Sequence, residues 1–366
     1  MKKIGIALAT IFPLVLAHAQ SSVTLYGVVD AAVSFVDNGV VRNTRIDSAI
    51  GPGSRFGLRG TEELGGGLRA IYTLEGGFDT STGTSQQGGL LFGRQAFTGI
   101  TSSNGWSVTL GRHYSPTQQA LAATDAMGQN YWGSSTGFGN GSQSPGSTTM
   151  GAGCQGASLR VNNSVLGAWT AGGITGRLLM GAGDENGRGS GRTYNPSLTF
   201  SNDALTVTAA YTRIRQCAPD IPALAQAAWQ TETVVGGSYN FGPASVYAGY
   251  YNFNPSENNK VISPTTFLNN KVVWLGTRVP VGSAGTVLAQ VARLKQDLSG
   301  GDAKGTSVGL TYVHRLSKRT SVYASSGWLK NSDRGQFTLS ATTATLPAGA
   351  IGADPKALSF GLTHAF

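Results

Sequence analysis

The chain has 366 residues, 53 of them glycine; it is 12% charged and 40% hydrophobic, with a formal net charge of +9. That composition is too apolar and too rich in aromatic residues for a disordered chain. Its basic residues are scattered rather than gathered into tracts, which argues against a nucleic-acid binder and for an anion-favouring surface or pore.

Lys2 and Lys3, the apolar run from Ile4 to Leu16 and the small-x-small step Ala17-His18-Ala19 read as a secretory signal peptide over residues 1–19. The run is too short for a membrane-spanning helix, and no later segment carries eighteen consecutive apolar residues. Cleavage would leave residues 20–366, without two of the lysines. Export places Cys154 and Cys217 in an oxidising compartment. Both lie in loop-like sequence, and a bond between loops and two separate thiols are equally compatible with them.

From Val23 onward the chain reads as short β segments. Phe56 and Leu58 alternate with Arg55, Gly57 and Arg59. Trp106, Val108 and Leu110 alternate with Ser107, Thr109 and Gly111, and Leu358, Phe360 and Leu362 with Ala357, Ser359 and Thr363. Period two with one apolar face is a half-buried strand, in a sandwich or a barrel alike.

The connections separate these cases. Sixteen candidate strands are joined by links that alternate in length. Long links cover 37–53, 79–91, 113–157, 216–228, 255–268 and 331–355, with moderate ones at Gly183–Gly191 and Asp297–Ala303. Between them fall short ones: Gly65-Gly66-Gly67, Ser103-Asn104-Gly105, Ala171-Gly172-Gly173, Asn202-Asp203, Phe241-Gly242-Pro243, Gly282–Gly285 and Ser317-Lys318-Arg319. Tight turns on one rim and long loops on the other describe a transmembrane β-barrel, whose closure satisfies every backbone polar group in lipid. Sixteen strands enclose a lumen too wide for side chains to fill, so water enters it. Tyr26, Trp106, Tyr211, Tyr239, Tyr247, Tyr250, Tyr251, Trp274, Tyr312, Tyr323 and Trp328 are candidates for interfacial girdles or for ordinary packing.

Several stretches together resemble the general porins of β-proteobacteria. They are Ser21–Asp30 (SSVTLYGVVD), Gly53–Gly67 (GSRFGLRGTEELGGG), Leu91–Phe97 (LFGRQAF), Leu110-Gly111-Arg112, Arg160–Val165 (RVNNSV) and the terminal His364-Ala365-Phe366. The resemblance implies an all-β, 16-stranded antiparallel barrel with short periplasmic turns and long extracellular loops. It implies a homotrimer in the outer membrane whose third loop, 113–157, folds into the lumen as a constriction. The activity implied is passive diffusion of small hydrophilic solutes and ions, with outer-membrane lipid and lipopolysaccharide around the barrel and no cofactor. Phe366 would be the signal read by the assembly machinery.

By the same resemblance Arg55, Arg94 and Arg160 are constriction arginines, with Glu75 facing them and Asp125 on the third loop. That loop departs from the family where an Asp-Pro-Phe-Gly run reads Asp125-Ala126-Met127-Gly128, and where a Tyr-Asp pair reads Gln118-Gln119. Reduced acidity there favours anions. Arg59, Arg112 and Arg293 suit either a pore or an interstrand ion pair. Guanidinium stays charged at any relevant pH, and arginine rings favour anions in pores.

An outer-membrane hydrolase and an adhesin are the competing readings. The first needs a nucleophile and a base; after residue 19 only His113, His314 and His364 remain, with Ser115 near His113 and no Gly-x-Ser-x-Gly elbow. No metal-ligand spacing is present.

Overall fold

The computed structural model describes residues 22–135, 137–139, 159–183, 191–215, 229–254, 269–298 and 301–366. The expected signal peptide, Cys154, Cys217 and the return limb of the third loop lie outside the described residues.

Seventeen strand segments form one antiparallel sheet, and two of them are successive halves of a single stave, leaving sixteen staves. In chain order these are β1 Ser22–Asp37, β2 Arg42–Ser48 continued by Arg55–Gly65, β3 Leu68–Gly77, β4 Gln95–Ser102, β5 Trp106–Tyr114 and β6 Arg160–Ala171. Then follow β7 Ile174–Gly181, β8 Thr193–Ser201, β9 Leu205–Arg215, β10 Trp229–Asn240 and β11 Ser245–Asn254. The last are β12 Asn270–Val281, β13 Gly285–Gln296, β14 Ala303–Arg315, β15 Thr320–Asn331 and β16 Lys356–Ala365. The barrel closes where β1 pairs with β16, from Val28 opposite Ala365 to Asp37 opposite Lys356. Gly27 and Phe366 then exchange two backbone bonds of 3.1 Å, so the C-terminus seals the seam.

The burial pattern is inverted relative to a soluble sandwich. On β16 the apolar members are the open ones, with Leu358, Phe360 and Leu362 at 40, 51 and 47% exposure, while Ser359 between them is fully buried. Apolar side chains that stay exposed around a closed sheet need a lipid solvent. The same alternation divides the aromatic residues. Trp106, Tyr211, Tyr239, Tyr250, Tyr312 and Trp328 are exposed on the outer face. Tyr251, Trp274 and Tyr323 are buried, and Tyr26 donates to Glu75, all on the inner face. Only the first group is placed to form girdles.

The tight turns fall where the glycines allow them. Gly172 and Gly173 join β6 to β7 at φ 56° and 80°, values that a side chain disfavours.

One expected loop is absent as such. Residues 37–53 do not form a single excursion, because Arg42–Ser48 pairs with Asp37–Ala31 of β1 and the turn shrinks to 38–41. The chain leaves the wall only at 49–54 and re-enters at Arg55. Asp30, facing inward from β1, holds this step: its Oδ1 accepts from Tyr323 Oη at 2.8 Å and from the Gly51 amide at 3.2 Å. Ala49 takes φ 56° at the exit. Three charged residues between Arg42 and Asp47 hide this strand from a hydrophobic-period reading.

Candidate functional site

The third loop begins at Ser115, whose hydroxyl accepts the Gln118 amide at 3.0 Å and caps helix α1, Pro116–Thr124. Proline at the first helical position needs no amide partner. The loop then travels round the inner wall. Thr117 receives from Asn195 of β8, whose Nδ2 donates to the Thr117 hydroxyl at 2.9 Å. Trp274 of β12 donates Nε1–H to the Thr124 carbonyl at 2.6 Å, and Arg278 of β12 donates to the Ala126 carbonyl at 2.6 Å. Gln290 of β13 accepts the Ala126 amide at 2.9 Å. Trp132 donates its indole N–H to Ser359 of β16 at 2.8 Å, and the Tyr131 amide reaches the Ile50 carbonyl at 2.7 Å. Every wall residue in this series faces away from the exposed apolar side, so the loop lies inside the barrel.

Glycines make room for it. Gly309 of β14 and Gly327 of β15 sit opposite one another. A Cβ at Gly309 would lie 2.4 Å from the Trp132 carbonyl, and one at Gly327 would lie 2.6 Å from Trp132 Cβ. A Cβ at Gly276 would lie 2.6 Å from Ala126 Cβ. Glycine inside a strand marks close approach of another chain segment, and here it traces the loop's path.

Facing α1 is a cluster of charge. Arg94, 8% exposed, donates Nε–H to Glu75 Oε1 at 2.8 Å. Tyr26 donates to Glu75 Oε2 at 3.0 Å, and Arg55 Nε lies 3.7 Å from the same carboxylate. Arg160 donates to Tyr114 Oη at 3.0 Å, with its guanidinium 4.6 Å above that ring; Arg94 lies 5.8 Å from the ring. Arg55, Arg94, Tyr114 and Arg160 line one cavity with Gln118 and Gln119 of α1. Two guanidinium groups thus flank a single carboxylate, a third lies over Tyr114 in the same cavity, and α1 carries no acidic side chain. Tyr114 was not legible as part of this group; its position at the strand end before the loop was the available signal.

The other candidates separate from the cluster. Asp125 does not face the arginines. It is fully buried and accepts from the Ser135 hydroxyl at 2.7 Å, the Ser135 amide at 2.8 Å and the Met127 amide at 2.7 Å. Burial pushes its carboxyl up, against the pull of the Ser135 donors. Its role is to fold the loop on itself. Arg59 is exposed on the inner face with its guanidinium 5.2 Å from the Tyr26 ring, about 13 Å along β2 from Arg55. Arg112 donates to the Gly93 carbonyl at 2.8 Å and to Asn162. Arg293 is on the outer face of β13. His113 contacts Ser164 at 2.8 Å, not Ser115, so no serine–histidine pair opens the loop.

A second loop enters the lumen unannounced by the sequence. After β15, Thr338 and Leu339 pair antiparallel with Gly139 and Phe138 of the third loop. Thr342 donates to the Gly51 carbonyl at 2.6 Å and lies 2.9 Å from Asn130 Oδ1. The last long loop, the third loop and the inward step at 49–54 therefore brace one another.

The profile of Gram-negative porins matches residues 6–334. Outer membrane porin protein 32 of Delftia acidovorans is 30% identical over the whole of both chains. An outer membrane porin protein of Bordetella pertussis is 26% identical, over 86% of this chain and 90% of that one. Among solved structures, the anion-selective porin from Comamonas acidovorans superposes with a TM-score of 0.79 at 29% identity, covering 95% of this chain and all of the other. OmpT of Vibrio cholerae, in its trimer form, gives 0.67 at 17% identity over 94% and 99% of the two chains, a likeness of fold. The chain belongs to the Gram-negative porin family and forms an outer-membrane diffusion channel for small solutes and ions, not an enzyme.

Proposed function

We propose that this channel prefers anions and that Arg55, Arg94 and Arg160 set the preference at its throat. The observation that carries the reading is that Arg55 and Arg94 flank one carboxylate, Glu75, while Arg160 lines the same cavity, opposite a helix whose facing residues are Gln118 and Gln119. Two positive charges remain after Glu75 is neutralised. A narrow, low-dielectric throat focuses such fixed charge, and no chemical step is required. Arg59 extends the positive track toward the tight-turn rim, while Asp125 takes no part. The related porin from Comamonas acidovorans is described as anion-selective.

The remaining partners follow the same reading. The working unit is a homotrimer, exported through residues 1–19, matured at Gln20 and inserted by the assembly machinery through Phe366. Lipopolysaccharide surrounds its outer half. In proteoliposomes, purified protein is expected to admit small anionic solutes faster than cationic ones of equal size. Equal rates, or faster cations, would remove the proposal while leaving the channel itself intact.

A further inference from the structure

The outer face carries a charged feature that the throat does not use. Lys271 of β12 sits directly opposite Lys295 of β13, and Lys295 sits directly opposite Lys304 of β14. All three have the parity of Val273, Leu275, Val291 and Val308, which are exposed on the outer face. One row nearer the membrane, Arg293 and Lys330 flank Thr306. Like charges directly across a sheet oppose folding, so a row of three asks for a counter-charge. Asp302 and Asp297 supply one to Lys295, at 2.9 and 3.6 Å, and Asp354 supplies one to Lys330 at 2.7 Å. Lys271, Arg293 and Lys304 have no ion pair among the described residues.

Height along the strands decides what the missing counter-charge is. The cluster stands at the long-loop ends of β12–β15, with Trp328 exposed two residues below Lys330 and the apolar band beneath. Apolar band, interfacial aromatic and cation follow in that order from the membrane interior outward. Cations at that depth meet headgroups, and several together select headgroups of multiple negative charge.

We propose that Lys271, Arg293 and Lys304 form a binding surface for the phosphate groups of an outer-leaflet glycolipid. This rests on the lipid-partner reading above and is independent of ion selectivity. The Lys271→Gln/Arg293→Gln/Lys304→Gln variant leaves Lys295 and Lys330 with their aspartates. It and the wild type are to be reconstituted in phosphatidylcholine vesicles containing either a bisphosphorylated diglucosamine lipid or its dephosphorylated form. Lipid retained per barrel is measured after detergent extraction. The wild type is expected to retain several-fold more of the phosphorylated lipid, and the variant to lose that excess.

Equal retention of the two lipids by the wild type would overturn the proposal, whether or not the variant folds. So would undiminished preference in the variant. Loss of retention to inorganic phosphate at matched concentration would also overturn it, by assigning the surface to free phosphate. Reversal potentials of wild type and variant are expected to coincide, which separates failure here from failure of the throat reading.

Discussion

Replacing Arg94 with alanine is expected to lower the anion-to-cation permeability ratio about fivefold, read as a shift of reversal potential in a salt gradient. A unit charge about 8 Å from the ion path, at an effective dielectric of about 80 in the water-filled pore, stabilises an anion and destabilises a cation by about 0.5 kcal/mol each, and losing both effects gives that ratio. Arg94 should matter more than Arg160. Its loss removes a positive charge and also strips Glu75 of its closest partner, leaving Arg55 at 3.7 Å and the Tyr26 hydroxyl. Arg160 leans on Tyr114 and neutralises no carboxylate. The Arg160→Ala shift should therefore have the same sign and a smaller size. Wild-type reversal potentials in both variants would show that the cluster does not see the permeating ion.

The second large effect concerns the loop that narrows the lumen. Trp132 is fully buried in the groove over Gly309 and Gly327, and Trp132→Ala is expected to cost about 3–5 kcal/mol of loop anchoring. The barrel ladder does not depend on this side chain. The loss should appear as noisy open-channel current and closure at lower voltage, with heat-resistant migration of the barrel preserved. Gly309→Val attacks the same contact from the wall, because its Cβ would meet the backbone of Trp132 and Gly133 rather than a movable side-chain end. Both variants should share one electrical signature. Quiet, wild-type currents in both would mean that the loop is held elsewhere.

These two predictions draw on parts of the molecule that differ in how far sequence alone revealed them. Alternation in segments such as Leu358–Thr363 and the long-short rhythm of links showed the barrel, since both are local patterns. The strand Arg42–Ser48 was missed because its stability comes from pairing with β1 and not from an apolar period. The girdle candidates were mixed because an aromatic in a strand says nothing of its face until register is known. Tyr250 and Tyr251 are neighbours and point to opposite sides.

The throat was legible only by resemblance. Arg94 and Glu75 meet across neighbouring strands, and Arg55 joins them from a third, so no spacing in the chain reports their convergence. Asp125 was misplaced for a related reason: an acidic residue in a pore loop is read as lumen-facing, yet its partners Met127 and Ser135 are local. The loop's route depends on contacts such as Ala126 with Gln290 and Trp132 with Ser359, far apart in sequence. Its one local trace was glycine inside strands, at Gly276, Gly309 and Gly327, where a strand gains nothing from glycine except closeness to another backbone.

The most direct test of an arginine-governed channel is the zero-current potential of purified wild-type protein across a planar bilayer with unequal potassium chloride. Large ohmic steps and a potential of the sign set by chloride are the result predicted. A potential of the sign set by potassium would contradict the role assigned to Arg55, Arg94 and Arg160.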